Sequence, residues 1–67
     1  MNAVIRLKTN DTIAIENIKS IKCHENNQEF TDFDNFCPYG STFYTFIGKS
    51  SLVVYGDDIV YIHFQNY

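Results

Sequence analysis

Between Cys23 and Gly48 the sequence contains no lysine and no arginine. The same stretch carries four carboxylates, whereas the flanking segments hold all five basic residues of the chain; the carboxylates are Glu25, Glu29, Asp32 and Asp34. Proteins that bind nucleic acid through its phosphates need clustered lysine and arginine, and five scattered residues do not provide such a cluster. We therefore expect no direct binding of nucleic acid. The acidic segment favours a protein partner with a basic surface instead.

Long apolar runs are also missing, since none approaches the roughly 18 residues that a membrane span requires. The first residues show no basic segment followed by an apolar stretch, which is the pattern of a secretory signal. We therefore expect a soluble, cytoplasmic protein that does not bind membranes. In a reducing compartment the two cysteines are expected to be free thiols, and a Cys23–Cys37 bridge is the alternative in an oxidising one.

Short metal-binding motifs are absent, because the sequence has neither a C-x-x-C pair nor an H-x₃₋₅-H pair. Two cysteines and two histidines could in principle bind zinc, and a small zinc-stapled domain is the third function that we consider. However, Cys23 and His24 are adjacent, so in a strand their side chains point to opposite faces. We expect Cys23 in the core, His24 and His63 on the surface, and no metal or cofactor.

Catalytic motifs are missing as well, since no pattern supports a nucleophilic pair of Cys37 with His24 or His63. Tyr55–Asp58 resembles the metal-binding hairpin of RNA-dependent RNA polymerases, in which paired aspartates hold magnesium. That resemblance implies a further carboxylate and a basic nucleotide channel, which a chain of 67 residues with five bases does not offer. We interpret these residues as a polar turn and predict that the protein is not an enzyme.

The chain is rich in β-branched and aromatic residues, with 45% hydrophobic and 16% aromatic content, which suffices for one small core. The pattern predicts an all-β single domain over residues 1–67, built as a small antiparallel sheet or partly open barrel of five or six short strands. The predicted strands are 3–9, 12–16, 18–24, 42–47, 52–55 and 59–64. The last three predict a meander, and the two halves of the chain resemble each other in pattern.

A change in spacing near Asn17 predicts a bulge or kink, because Ile18 and Ile21 are three residues apart rather than two. An α-helix over Ile13–Lys22 is the competing interpretation, and the β-branched content favours strand.

The connection 25–41 places Phe30, Phe33 and Phe36 at a strict spacing of three. This spacing suits a short helix or 3₁₀ turn near residues 28–36. The alternative is a hairpin that turns at Asn26-Asn27, with Gln28–Phe33 as a strand. The three phenylalanines either cover the open end of the barrel or present part of their surface to a partner.

Acidic and aromatic residues together suit a docking surface, because aromatic rings give rigid contact area and carboxylates select a basic partner. We predict that the recognition surface consists of five residues: Glu29, Asp32, Phe33, Asp34 and Tyr39. The predicted function is a small, non-enzymatic protein-binding module. The alternative is a stoichiometric inhibitor that blocks a basic, nucleic-acid-binding surface of a host protein. The composition resembles that of small accessory proteins of phages and mobile genetic elements.

The terminal run Ile59–Tyr67 is apolar, aromatic and free of lysine and proline. An incomplete barrel leaves edge strands, and nothing in this run protects an edge from pairing. The sequence therefore predicts a homodimer through this strand, or the addition of a partner's strand to it.

Overall fold

The computed structural model describes residues 1–38 and 40–66, and within them the chain forms β-strands and 3₁₀ turns but no α-helix. The predicted all-β class is confirmed. Six of the seven strands lie within two residues of the predicted segments, and the two-residue β4 is additional. The strands are β1 Asn2–Leu7, β2 Thr12–Ile15, β3 Ser20–Cys23, β4 Glu29–Phe30, β5 Phe43–Ile47, β6 Ser51–Tyr55 and β7 Ile59–Gln65.

The strands form two antiparallel sheets that share one core. Sheet A has the order β2-β1-β7, and sheet B has the order β4-β3-β5-β6. Alternation places one face of each strand inside, so that Ala3 and Ile5 of β1 and Tyr44 and Phe46 of β5 are almost completely buried. The remaining core residues come from both sheets and their connections: Ile15, Ile18, Ile21, Cys23 and Val54.

The predicted meander of the last three strands is wrong. β5 and β6 form a hairpin, but β7 leaves sheet B and pairs with β1 of sheet A. The cause is the turn Gly56–Asp58, which is a 3₁₀ helix rather than a hairpin turn. The N–H of Gly56 donates to the carbonyl of Thr42 at 2.8 Å, and the N–H of Lys8 donates to the carbonyl of Asp58 at 2.8 Å. These bonds join the turn to both sheets, so the two halves of the chain are not separate meanders.

The predicted kink near Asn17 is confirmed, since this residue has a positive φ of 53° between β2 and β3. The alternative α-helix over Ile13–Lys22 is wrong. The kink carries the chain from one sheet to the other, and the N–H of Lys49 donates to the carbonyl of Glu16 at 2.8 Å. Gly48 packs so closely here that a Cβ would lie 2.7 Å from the carbonyl oxygen of Glu16.

β7 is an edge strand of sheet A, as predicted. The register of its pairing with β1 shifts between Arg6 and Leu7. Arg6 is opposite Tyr61 and Leu7 is opposite Ile59, so Val60 is an extra residue on β7, a β-bulge. Val60 and Tyr61 are 58% and 50% exposed, while Ile59 packs against the core. The regular part of the edge therefore begins at Tyr61. Nowhere in residues 1–38 and 40–66 is there a helix with the length and apolar character to cross a membrane.

Candidate binding surface

The segment after β3 combines the two structures that the sequence left open. Asn27 has a positive φ of 56°, and the side chain of Asn26 accepts a hydrogen bond from the N–H of Gln28 at 3.0 Å. The N–H of Cys23 donates to the carbonyl of Gln28 at 2.8 Å, which closes a hairpin at the predicted position. Its second strand ends at Phe30, so the predicted extension of that strand to Phe33 is wrong.

A short 3₁₀ helix follows at Phe33–Asn35, within the predicted range. The side-chain amide of Asn35 donates to the Asp32 carboxylate at 2.7 Å, and the N–H of Phe36 donates to the carbonyl of Phe33 at 3.3 Å. Residues three apart lie on the same side of a 3₁₀ helix. This geometry turns Phe33 and Phe36 towards the core and leaves Asp32 and Asp34 exposed.

The three phenylalanine rings pack against the core, as the covering interpretation predicts, and each remains half-buried. Phe36 makes edge-to-face contacts with Phe30, Tyr44 and Phe46, at centroid distances of 5.2, 5.5 and 6.2 Å. Phe33 stacks on Phe64 of β7. Such ring pairs contribute beyond the area that they bury, so they fix the position of the 3₁₀ turn.

An open groove of about 390 Å³ lies between this segment and β7. One wall comes from the 3₁₀ turn and the residues after it, and the other comes from the inward-facing side chains of β7. The lining residues are Phe33, Asp34, Phe36, Cys37, Pro38, Ile62 and Phe64. We call this the aromatic groove; it is a concavity with both apolar and polar surface, and a carboxylate lies at its margin.

The carboxylates beside the groove are not neutralised by basic side chains. Within residues 1–38 and 40–66 the one ion pair joins Lys49 and Glu16 at 3.4 Å, and neither residue lines the groove. Asp34 has no hydrogen-bond or ion-pair partner among these residues, and Asp32 is bonded to the neutral amide of Asn35. The groove margin therefore keeps its negative charge available to a partner.

The structure brings together three of the five residues predicted for the recognition surface, namely Asp32, Phe33 and Asp34. Glu29 lies apart from them, because it pairs with Lys22 in the β3–β4 ladder on the outer face of sheet B, opposite to the inward-facing Phe30. It does not line the groove. Tyr39 lies outside the described residues.

Sequence reasoning missed the second wall of the groove, which is formed by Ile62 and Phe64 of β7. Their alternation in the last strand indicated an inward-facing pair, but not which segment would lie against them. Cys37 and Pro38 also line the groove. Their place after the phenylalanine triplet is the one signal that could have indicated this.

The cysteine and histidine side chains are dispersed. Cys23 is buried, Cys37 is exposed and the two are not bridged. His24 and His63 are on the surface, as predicted, and Nε2 of His24 is hydrogen-bonded to Oγ1 of Thr45 at 2.5 Å. In the described part of the chain no three side chains of His, Cys, Asp or Glu are grouped so that they could hold a metal ion. This covers Asp57 and Asp58 in the turn that resembles the polymerase hairpin.

Comparison of the chain with protein-family models, with characterised proteins and with solved structures finds no match. The function is therefore argued from the groove and its charges.

Proposed function

We propose that this protein is a non-enzymatic binding module that docks on a basic surface of another protein through the aromatic groove and the carboxylates of Asp32 and Asp34. The observation that carries the proposal is a concavity lined by aromatic side chains whose neighbouring acidic residues have no basic partner among the described residues. An internal role in stability would favour carboxylates paired with basic side chains, whereas carboxylates that lack a basic partner and lie beside the aromatic groove suit an incoming lysine or arginine.

The apolar part of the groove supplies contact area to the partner. Its rings are held by packing on Tyr44, Phe46 and Phe64, so they lose little conformational freedom when a partner binds. Rigid aromatic side chains at the centre of a contact commonly contribute most of the binding free energy. Phe33 and Phe36 are half-buried and therefore keep part of their surface for such a contact.

The acidic residues beside the groove supply selectivity and a high association rate. From Cys23 to Gly48 every charged side chain is acidic, so a basic partner meets no like charge over this segment. Complementary charges raise the association rate and reject acidic surfaces, and the effect weakens as salt screens it. Binding through this surface is expected to be fast at low ionic strength and markedly salt-dependent.

The test is affinity capture with quantitative mass spectrometry, comparing the wild type with Asp32→Lys/Asp34→Lys. We expect the variant to remain folded, because both carboxylates are exposed, and to lose partners that have a basic surface. Asp11→Lys/Asp58→Lys is the matched control, since it changes the net charge equally at two exposed residues that do not line the groove. Like Asp32, Asp11 accepts a hydrogen bond from a neutral side chain, that of Thr9.

Partners kept by the control and lost by the groove variant support the proposal. Equal retention of every partner by both variants would contradict it. Loss by both variants would show that net charge, rather than the groove, determines binding, and this result also counts against the proposal.

The carboxylates of Asp32 and Asp34, which have no basic partner among the described residues, equally support the second candidate, a stoichiometric inhibitor of the phage or mobile-element type that covers a basic, nucleic-acid-binding surface. The discriminating measurement is competition: a labelled oligonucleotide bound to the captured partner should be displaced by the wild type in a one-to-one ratio. A ternary complex of partner, oligonucleotide and this protein would favour the plain adaptor role.

A further inference from the structure

The aromatic groove lies directly beside an open sheet edge. β7 has β1 as its neighbour on one side and is the last strand of sheet A on the other. In the described part of the chain, Tyr61–Phe64 pair with β1, and the backbone hydrogen bonds of the turns and loops do not reach these four residues. The N–H of Ile59, before the bulge, donates to the carbonyl of Gly56. Between Tyr61 and Phe64 one edge of the strand is thus available for pairing.

The bulge divides this edge into two unequal parts. At Val60 the extra residue disturbs the ladder, and bulges of this kind hinder the approach of another strand. From Tyr61 to Gln65 the pairing with Asn2–Arg6 is regular. This part contains no lysine and no proline, the residues that commonly protect an exposed edge.

The regular part of the edge is also the part that forms the groove wall. Ile62 and Phe64 point inward from β7 and line the groove, while Tyr61 and His63 lie on the outer face. A strand added beside Tyr61–Phe64 would place alternate side chains on the same inner face. Those side chains would enter the groove between β7 and the 3₁₀ turn.

Charge decides which strand fits this position. Asp34 lines the groove without a partner among the described residues, so an inward-facing lysine or arginine would be neutralised there. A second copy of this chain supplies no such residue, because Ile59–Gln65 contains neither lysine nor arginine. Two copies paired through β7 would also bring their acidic groove margins together. The charges favour a basic segment over a homodimer.

We infer that the β7 edge and the aromatic groove form one site, which binds an extended segment of a partner protein by adding it to sheet A as a fourth strand. The inward-facing positions of that segment alternate between an apolar side chain in the groove and a lysine or arginine beside Asp34. The inference rests on the proposed function and specifies how the partner is held: backbone hydrogen bonds give affinity, and the alternating pattern gives selectivity.

The probe is the synthetic peptide Thr-Lys-Thr-Leu-Thr-Lys-Thr, acetylated and amidated at its ends. Its sequence reads the same in both directions, so its pattern suits a parallel or an antiparallel approach. The measurement is amide hydrogen exchange and chemical shift by NMR on the isotope-labelled full chain. We expect slower exchange at alternate residues of Tyr61–Phe64, together with shift changes at Phe33 and Asp34.

Two altered peptides separate the contributions. N-methylation of the central leucine and the two neighbouring threonines keeps the side chains but removes backbone donors, and we expect binding at least ~10-fold weaker. The charge-reversed peptide Thr-Glu-Thr-Leu-Thr-Glu-Thr should not bind. Analytical ultracentrifugation of the wild type should show a monomer that forms a one-to-one complex with the lysine peptide.

Equal binding of the N-methylated peptide would overturn strand addition while leaving the docking groove intact. Protection at β6 or β2 instead of β7 would place the peptide at another edge and overturn the inference. A stable dimer through β7 that the peptide does not dissociate would show that a second copy is the occupant. Absence of binding by the lysine peptide also counts against the inference, whereas the proposed function stands or falls separately with the capture experiment on Asp32 and Asp34.

Discussion

The ring of Phe33 lies flat on the ring of Phe64, with centroids 5.0 Å apart and planes inclined by 18°. This contact joins the 3₁₀ turn to the last strand of sheet A, two segments that make no strand pairing with each other. The width of the aromatic groove depends on it, since both residues line the groove.

A double-mutant cycle on Phe33→Ala and Phe64→Ala should show that the two rings are energetically coupled. Because both rings are half-buried, each single substitution should lower the free energy of unfolding by about 1–3 kcal/mol, below the cost for fully buried phenylalanine. The coupling should be about 0.5–1.5 kcal/mol, measured by urea denaturation. Phe43→Ala combined with Phe33→Ala is the additive control, because Phe43 is on the outer face of sheet B and contacts neither ring of the pair. Strict additivity for Phe33 and Phe64 would contradict the stacked arrangement.

Substitution of Gly48 should be destabilising even for alanine. A Cβ at this position would lie 2.7 Å from the carbonyl oxygen of Glu16 and 2.8 Å from Cγ2 of Ile15, so backbone would have to move. We expect Gly48→Ala to lower the free energy of unfolding by about 1–3 kcal/mol. Ser50→Ala in the same turn is the control, because Ser50 is exposed. A denaturation midpoint unchanged by Gly48→Ala would show that the two turns are not in close contact.

The kink at Asn17 should tolerate glycine better than alanine. Its φ of 53° is unfavourable for most residues with a Cβ, whereas glycine adopts it freely. Asn17→Ala should cost about 1–2 kcal/mol of stability, and Asn17→Gly should stay within about 0.5 kcal/mol of the wild type in thermal or urea denaturation. Equal losses for both substitutions would indicate that the asparagine side chain, rather than the backbone conformation, is what matters.

The two thiols should differ in their reaction with iodoacetamide. Cys37 is exposed at the groove, whereas Cys23 is only 2% exposed within the core. Mass spectrometry of the native protein should therefore show one rapid alkylation at Cys37, followed by alkylation of Cys23 only as the protein unfolds. The Cys37→Ser variant is the control and should remain unmodified under native conditions. Rapid modification of Cys23 would contradict its place in the core.

The positions of the strands could be predicted from the sequence, because the loose alternation along Ala3–Leu7 and the aromatic and β-branched residues of Phe43–Ile47 are local signals. The pairing of the strands could not. A polar turn such as Gly56–Asp58 favours a change of direction, but whether the next strand returns to β6 or moves to β1 depends on where both sheets bury their inner faces. Hydrogen bonds from Gly56 to Thr42 and from Lys8 to Asp58 decide this, and they join residues that are distant in sequence.

The candidate site was predictable to a similar extent. The spacing of Phe33 and Phe36 and the base-free segment are visible in the sequence, and they indicated one wall of the groove and its charge. The opposite wall required knowledge of tertiary packing, since Ile62 and Phe64 reach the 3₁₀ turn only through the pairing of β7 with β1. For Glu29 the sequence was misleading. It belongs to the acidic segment, but in the β3–β4 ladder it is paired with Lys22 on the outer face of sheet B, away from the groove.

The pairing of β1 with β7 places Asn2 opposite Gln65. The second neighbouring strand of β1 is therefore separated from it by most of the sequence. During synthesis, β1 and β2 must wait for β7 to leave the ribosome before sheet A can be completed. Contacts between residues so far apart in sequence slow folding, because the chain loses entropy before the contact forms. Until then β1 lacks one of its two neighbouring strands, and its apolar side chains remain accessible. During this interval the nascent protein is most exposed to chaperones and to aggregation.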